Sequence, residues 1–229
     1  MGSTAPTDAQ WTAQSVIATL PHPPSANTST PVPFFHLLER LKTTKREGWR
    51  RFGIAHGESI SDHMYRMSIM TMFAPPALAA KLNIPRCTKM ALIHDMAESI
   101  VGDITPADTH ITKPEKARRE AEVIDYISKS LLGQVPGLAA QEIREVFHEY
   151  EDNVTEEAKF VHDIDKMELL LQAVEYERAH AGKLDLSEFY HVLDGIKLPE
   201  VKEWAAAVIK EREAFWAESG VTPKNAPKA

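Results

Sequence analysis

Between residues 155 and 181 the chain carries its longest helical pattern, and apolar side chains fall on nearly every side of it, including Ala158, Phe160, Val161, Ile164, Met167, Leu170 and Val174. A helix with one apolar stripe can lie on a surface, but one that is apolar all round has to be covered by neighbours on more than one face. No period-2 apolar alternation of useful length exists to build a sheet against it, and no internal repeat is visible. The fold class is therefore all-α, with other helices as the cover. Thr155-Glu156-Glu157 opens the pattern as a cap would. Asp163 and Asp165 are anomalous inside it, because a buried carboxylate is costly unless paired or metal-bound.

Further helices are read at residues 34–41, from about 59 to the Pro75-Pro76 break, from about 85 to Gly102, and at 114–132, 138–150 and 199–217. With 229 residues, 43% of them hydrophobic, the chain can bury one substantial core. We assign residues 33–218 to that domain, residues 1–32 to a flexible arm rich in Pro, Ser and Thr, and residues 219–229 to a polar tail. The charge run Glu115-Lys116-Ala117-Arg118-Arg119-Glu120 reads as a solvated face.

A second anomaly lies in residues 90–103, Met-Ala-Leu-Ile-His-Asp-Met-Ala-Glu-Ser-Ile-Val-Gly-Asp. At about 3.6 residues per turn, His94, Asp95 and Glu98 fall within about 100° of one another on an otherwise apolar helix. One imidazole and two carboxylates there suggest a cation site, while a hydrogen-bonded polar network between helices is the alternative. Asp103 follows just past the helix end and can fold back toward Glu98.

The net charge of −7 argues against a nucleic-acid binder, which needs a basic face. An anionic substrate would have to be held locally, by a metal or a few cations. A single cysteine, Cys87, excludes both an intrachain disulfide and a Cys-based zinc cluster, and is read as a packing residue. No apolar run is long enough to span a bilayer, and the N-terminal residues show no signal or transit pattern. The expectation is an intracellular protein of the cytoplasm or nucleus, without membrane or nucleic-acid partners.

Ligands for a divalent metal converge best from different helices. The order here is His63, then His94-Asp95, then an aspartate farther on, and it resembles the HD-domain metal-dependent phosphohydrolases. Ser61-Asp62-His63-Met64-Tyr65-Arg66-Met67, the run from Leu92 to Pro106 and Glu157-Ala158-Lys159-Phe160-Val161 with Asp165-Lys166 resemble the 5′-deoxynucleotidase branch of that family. His-Asp alone is a weak signal, whereas the run from Leu92 to Pro106 is specific.

The resemblance implies an enzyme that hydrolyses deoxynucleoside monophosphates to deoxynucleoside and phosphate, working as a homodimer with manganese, cobalt or magnesium. Other phosphate substrates, such as a nucleoside triphosphate or a cyclic nucleotide, and a catalytically silent nucleotide-binding regulator are the rivals. The resemblance also implies that His63, His94, Asp95 and Asp165 ligate a first ion. Glu98 and Asp103 match the family's acidic pair, described as catalytic or as holding a second ion with the Ile104 carbonyl. It selects Asp165 over Asp163, leaving His162-Asp163 as a supporting or structural pair. Trp49 falls at the family's substrate-side tryptophan, fourteen residues before His63. Bacterial members carry an arginine directly before that tryptophan, where this chain has Gly48, so Arg50 and Arg51 are nominated to grip the phosphate.

Overall fold

The computed structural model describes residues 11–220, and every described element is helical, apart from one isolated antiparallel bridge between Lys45 and Ser59. The all-α expectation holds. Twelve α-helices are described: α1 (Ala13–Ile17), α2 (Val32–Leu37), α3 (Glu39–Thr43), α4 (Glu47–Arg50), α5 (Ile60–Thr71), α6 (Pro76–Ala79), α7 (Ile84–Ile93), α8 (Glu98–Val101), α9 (Lys113–Tyr126), α10 (Ala139–Asp152), α11 (Glu156–Ala179) and α12 (Pro199–Ser219). A π-helical turn, Ile127–Leu131, extends α9, and a 3-10 stretch, Ser187–Gly195, precedes α12. None of these helices is long and apolar enough to cross a membrane.

The described residues gather into two compact units: the chain up to Met64 with Ile93–His148, and Tyr65–Leu92 with the chain from Glu149. In the first, α8 packs against α1, α3 and α9 over a core that includes Phe34, Leu41, Trp49, Ile100, Val123 and Ile127. Residues 11–32, within the segment expected to be a flexible arm, carry α1 and are tied down at several points. Trp11 is buried under the Arg119 guanidinium, 5.0 Å from its ring centroid, and the Ala13 N–H donates to Glu122 at 2.8 Å. Residues 1–10 of that arm, and the tail from 221 onward, lie outside the described residues.

In the second unit α11 packs against α12 and the 3-10 stretch. Thr155 caps α11 by accepting the Ala158 N–H at 3.1 Å. Its core is not purely apolar. Glu177 and Arg212 are both sealed from solvent in a bidentate pair at 2.7 and 2.8 Å, and Glu177 also accepts the Trp216 indole N–H. Glu168, equally buried, is met by Arg66. A buried anion persists only with such a partner.

Sequence and structure part most clearly at residues 94–97. Instead of one helix running through to Gly102, α7 ends at Ile93 and α8 starts at Glu98. Between them the chain tightens: Met96 N–H donates to the Ile93 carbonyl and Glu98 N–H to the Asp95 carbonyl, each three residues back. Three-residue turns eclipse side chains instead of spacing them at 100°. His94 and Asp95 therefore sit in a turn rather than on a helix face.

Candidate metal centre

His63 stands in the first turn of α5. That start is fixed by a reciprocal cap in which the Ser59 N–H donates to the Asp62 carboxylate at 2.7 Å and the Asp62 N–H to the Ser59 hydroxyl at 3.1 Å. His63 is fully buried, and its imidazole lies 5.6 Å, centroid to centroid, from that of His94. The Nε2 atoms of both rings face one oxygen, Asp95 Oδ2, from 3.3 Å for His94 and 3.8 Å for His63. Hydrogen bonds from ring N–H groups run to about 2.7–3.2 Å, so His94 stands just beyond that range from Asp95 and His63 clearly beyond it. Two nitrogens and one carboxylate oxygen converging at longer range, all within one unit, are a donor set that fits a divalent cation.

The acidic pair lies alongside. Glu98 opens α8, is 2% exposed, and its Oε2 takes no hydrogen bond among the described residues. Gly102 then turns the chain at φ 81°, a value that side chains with a Cβ rarely adopt. Just beyond it, Asp103 accepts the backbone N–H of Glu47 at 2.5 Å. Ile104 follows in a loop closed on itself by Asp108, which accepts both the N–H and the hydroxyl of Thr105.

Burial would raise the Asp95 carboxyl, but the His94 imidazole beside it, with His63 and Arg46, outweighs burial and holds it below the ordinary range. Glu98 shifts the other way: burial raises it, and the charges of Asp95 and Asp103 raise it further, against Lys116 and Arg46. Asp103 is raised by burial too, opposed by Arg46 and by the Glu47 N–H. Glu98 and Asp103 thus both hold a proton more readily than ordinary carboxyls, beside an Asp95 that gives its proton up more readily.

Asp165 is half-buried on α11, where the Tyr150 hydroxyl donates to it at 3.2 Å. Asp163, two residues away and fully buried, accepts the backbone N–H groups of Lys197 and Leu198 at 2.9 and 2.7 Å and so ties down the chain leading into α12. His162 bonds the Tyr150 carbonyl at 2.9 Å and stacks on the Tyr150 ring. Trp49 is buried, with its indole N–H on Glu58 Oε1 at 2.7 Å. Arg50 is exposed and donates to Glu47 on its own turn, and Arg51 donates to Asp108.

Two cations at this cluster were not foreseen. Arg46 reaches Asp95 Oδ2 with Nη1 at 3.3 Å and Glu58 Oε1 with Nε at 3.6 Å. The Lys45–Ser59 bridge sets it there, since the Arg46 N–H donates to the Glu58 carbonyl at 3.2 Å. From α9, Lys116 Nζ lies 3.9 Å from Glu98 and 3.5 Å from Glu120. The solvated-face reading of that charge run fails at Arg119 and Glu120, which are buried. A signal was present: Lys116, Glu120, Val123 and Ile127 recur at helical spacing on one face, and the last two are core.

A family model described as HD domain matches residues 38–204. The chain is 50% identical over 186 residues to 5′-deoxynucleotidase hdd1 of Schizosaccharomyces pombe, covering 81% of this chain and 92% of that one. It is 40% identical over 191 residues to 5′-deoxynucleotidase HDDC2 of Homo sapiens, covering 83% and 90%. The solved structure of HD domain-containing protein YGK1 superposes with a TM-score of 0.65 at 31% identity, covering 90% of this chain and all of that one.

Proposed function

From the premise that this chain belongs to the HD domain family, we propose that it is a metal-dependent 5′-deoxynucleotidase, converting 2′-deoxynucleoside 5′-monophosphates to deoxynucleoside and inorganic phosphate. The observation that carries this is the convergence of His63 and His94 on Asp95, next to a buried Glu98 and an Asp103 fixed by a backbone N–H. The names of the relatives supply the substrate class.

We assign His63, His94, Asp95 and Asp165 to one divalent ion, manganese, cobalt or magnesium, and allow Glu98, Asp103 and the Ile104 carbonyl a second. Such an ion makes bound water more acidic and polarises phosphoryl oxygens. The remaining work falls to the chain's own groups. Asp103, held by the Glu47 N–H, accepts a proton from the attacking water. As the P–O5′ bond breaks, Glu98, kept from solvent and able to hold a proton, protonates the leaving 5′-oxygen.

We also propose a homodimer. Its support is an apolar stripe, Tyr65, Ile69, Met72 and Phe73, which recurs along one side of α5 and the turn after it and is exposed.

Phosphate release should be measured on a panel of deoxy- and ribonucleoside monophosphates with each metal, using His94→Ala as the blank. Release from deoxynucleotides, little from ribonucleotides and none from the variant is the expected result. Triphosphate or linear-nucleotide products would move the protein to another substrate, and metal uptake without turnover would make it a regulator.

A further inference from the structure

A phosphate group brought to Asp95, Glu98 and Asp103 meets three carboxylates, so cations must face it as well. The arginines nominated from sequence are engaged elsewhere: Arg50 at the surface with Glu47, Arg51 with Asp108. Two others reach the cluster from separate elements. The Arg46 side chain is only 15% exposed and lies 3.3 Å from the carboxylate oxygen on which both histidines converge. Its neighbour in sequence, Glu47, bonds Asp103 through its N–H. Lys116 extends from α9 toward Glu98.

We propose that Arg46 and Lys116 hold the phosphate of the nucleotide, and that Glu58 and Trp49 position the Arg46 guanidinium. This rests on the 5′-deoxynucleotidase reading. The contacts of Arg46 to Asp95 and Glu58, at 3.3 and 3.6 Å, and of Lys116 to Glu98 and Glu120, at 3.9 and 3.5 Å, all exceed the roughly 2.7–2.9 Å of a tight charge-assisted bond. These four contacts place both cations beside the acids, where a phosphate with several acceptor oxygens brought to Asp95, Glu98 and Asp103 would meet them. A guanidinium offers such a group a planar fork, and an ammonium offers a point charge. Glu58 Oε1 accepts the Trp49 indole N–H at 2.7 Å and faces Arg46 Nε with the same atom. Trp49 thus bears on the phosphate through Glu58 and Arg46 while its ring stays buried.

The test is a calorimetric titration of the metal-loaded full chain with inorganic phosphate, alongside steady-state kinetics, metal content and melting temperature. Arg46→Gln, Arg46→Lys and Lys116→Gln are compared with the wild type, and Lys113→Gln, exposed on the same helix, is the charge-matched control. Arg46→Gln and Lys116→Gln should each weaken phosphate binding and raise KM about tenfold or more, with metal content and melting temperature unchanged. Arg46→Lys should recover part of the loss, and Lys113→Gln should match the wild type. Unchanged phosphate affinity in both glutamine variants would overturn the proposal. So would an Arg46→Gln protein that loses metal and regains full phosphate affinity when metal is saturating, since Arg46 would then only support Asp95. The titration decides the cation pair by itself, so a wild type that binds phosphate without turning over deoxynucleotides would overturn the substrate reading alone.

Discussion

The indole N–H of Trp49 donates to Glu58 Oε1 at 2.7 Å, while the ring itself is 2% exposed. On the proposal that Trp49 positions Arg46 through Glu58, it works through this one donor rather than by offering a face to a base. Trp49→Phe keeps most of the packing and deletes the donor. A hydrogen bond to a charged acceptor contributes about 1.5–3 kcal/mol, so kcat/KM should fall roughly ten- to a hundredfold. If Trp49 served by stacking, phenylalanine would substitute, and kinetics close to wild type would disprove the hydrogen-bond role.

Asp163 and Asp165 are two residues apart and should respond oppositely. Asp163→Ala strips the acceptor from two backbone N–H groups at the start of α12 and should cost about 1–3 kcal/mol of stability while metal content is retained. Asp165→Ala should leave the melting temperature of the metal-free protein nearly unchanged and remove bound metal. Chemical denaturation and elemental analysis of the two variants read this directly; loss of metal from Asp163→Ala alone would reverse the assignment.

Cys87 is fully buried on α7, and burial, with the charges of Glu157 and Glu149, pushes its thiol up to about 12 from an ordinary value of 9.0. Native protein at pH 8 should therefore be inert to thiol reagents that label it rapidly once denatured. The stability consequence has a definite sign. Between about pH 9 and 12 the unfolded chain releases this proton while the native state keeps it. Stability must then fall with rising pH, by up to about 1.4 kcal/mol per pH unit from this group. Denaturation across that range should show a shallower fall for Cys87→Ala than for the wild type; parallel curves would contradict the shift.

The apolar stripe on α5 makes its own prediction. Tyr65, Ile69, Met72 and Phe73 are 65%, 37%, 57% and 69% exposed. A charge in their midst should cost little within the chain and much at an interface. Phe73→Glu should sediment as a monomer where the wild type sediments as a dimer, and a monomeric wild type would end the homodimer reading.

Much of this architecture is local and could be read from the sequence. Period-3.6 apolar patterns produced α5, α9, α10, α11 and α12 to within a few residues, because amphipathicity, proline breaks and caps such as Thr155 act over a single turn of chain. The grouping of imidazoles and carboxylates around residues 63 and 94–103 was legible for the same reason, since titratable side chains in apolar segments are unusual wherever they occur. What escaped was anything set by a partner from elsewhere in the chain. A three-residue tightening at residues 94–97 carries no composition signal of its own. Buried Glu168 and Glu177 look like ordinary helix-surface residues until Arg66 and Arg212 are seen against them.

By itself, then, the sequence determined the helical class, the main helix boundaries and the kinds of ligand atom the protein has to offer. Only the tertiary structure decided which charges face those atoms. It turned Arg46 inward through the bridge between Lys45 and Ser59, aimed Lys116 at Glu98, and used Asp163 to hold the chain leading into α12. Helical periodicity assigns a residue to a face, but the chemistry opposite that face comes from segments tens of residues away, and no local pattern encodes their arrival.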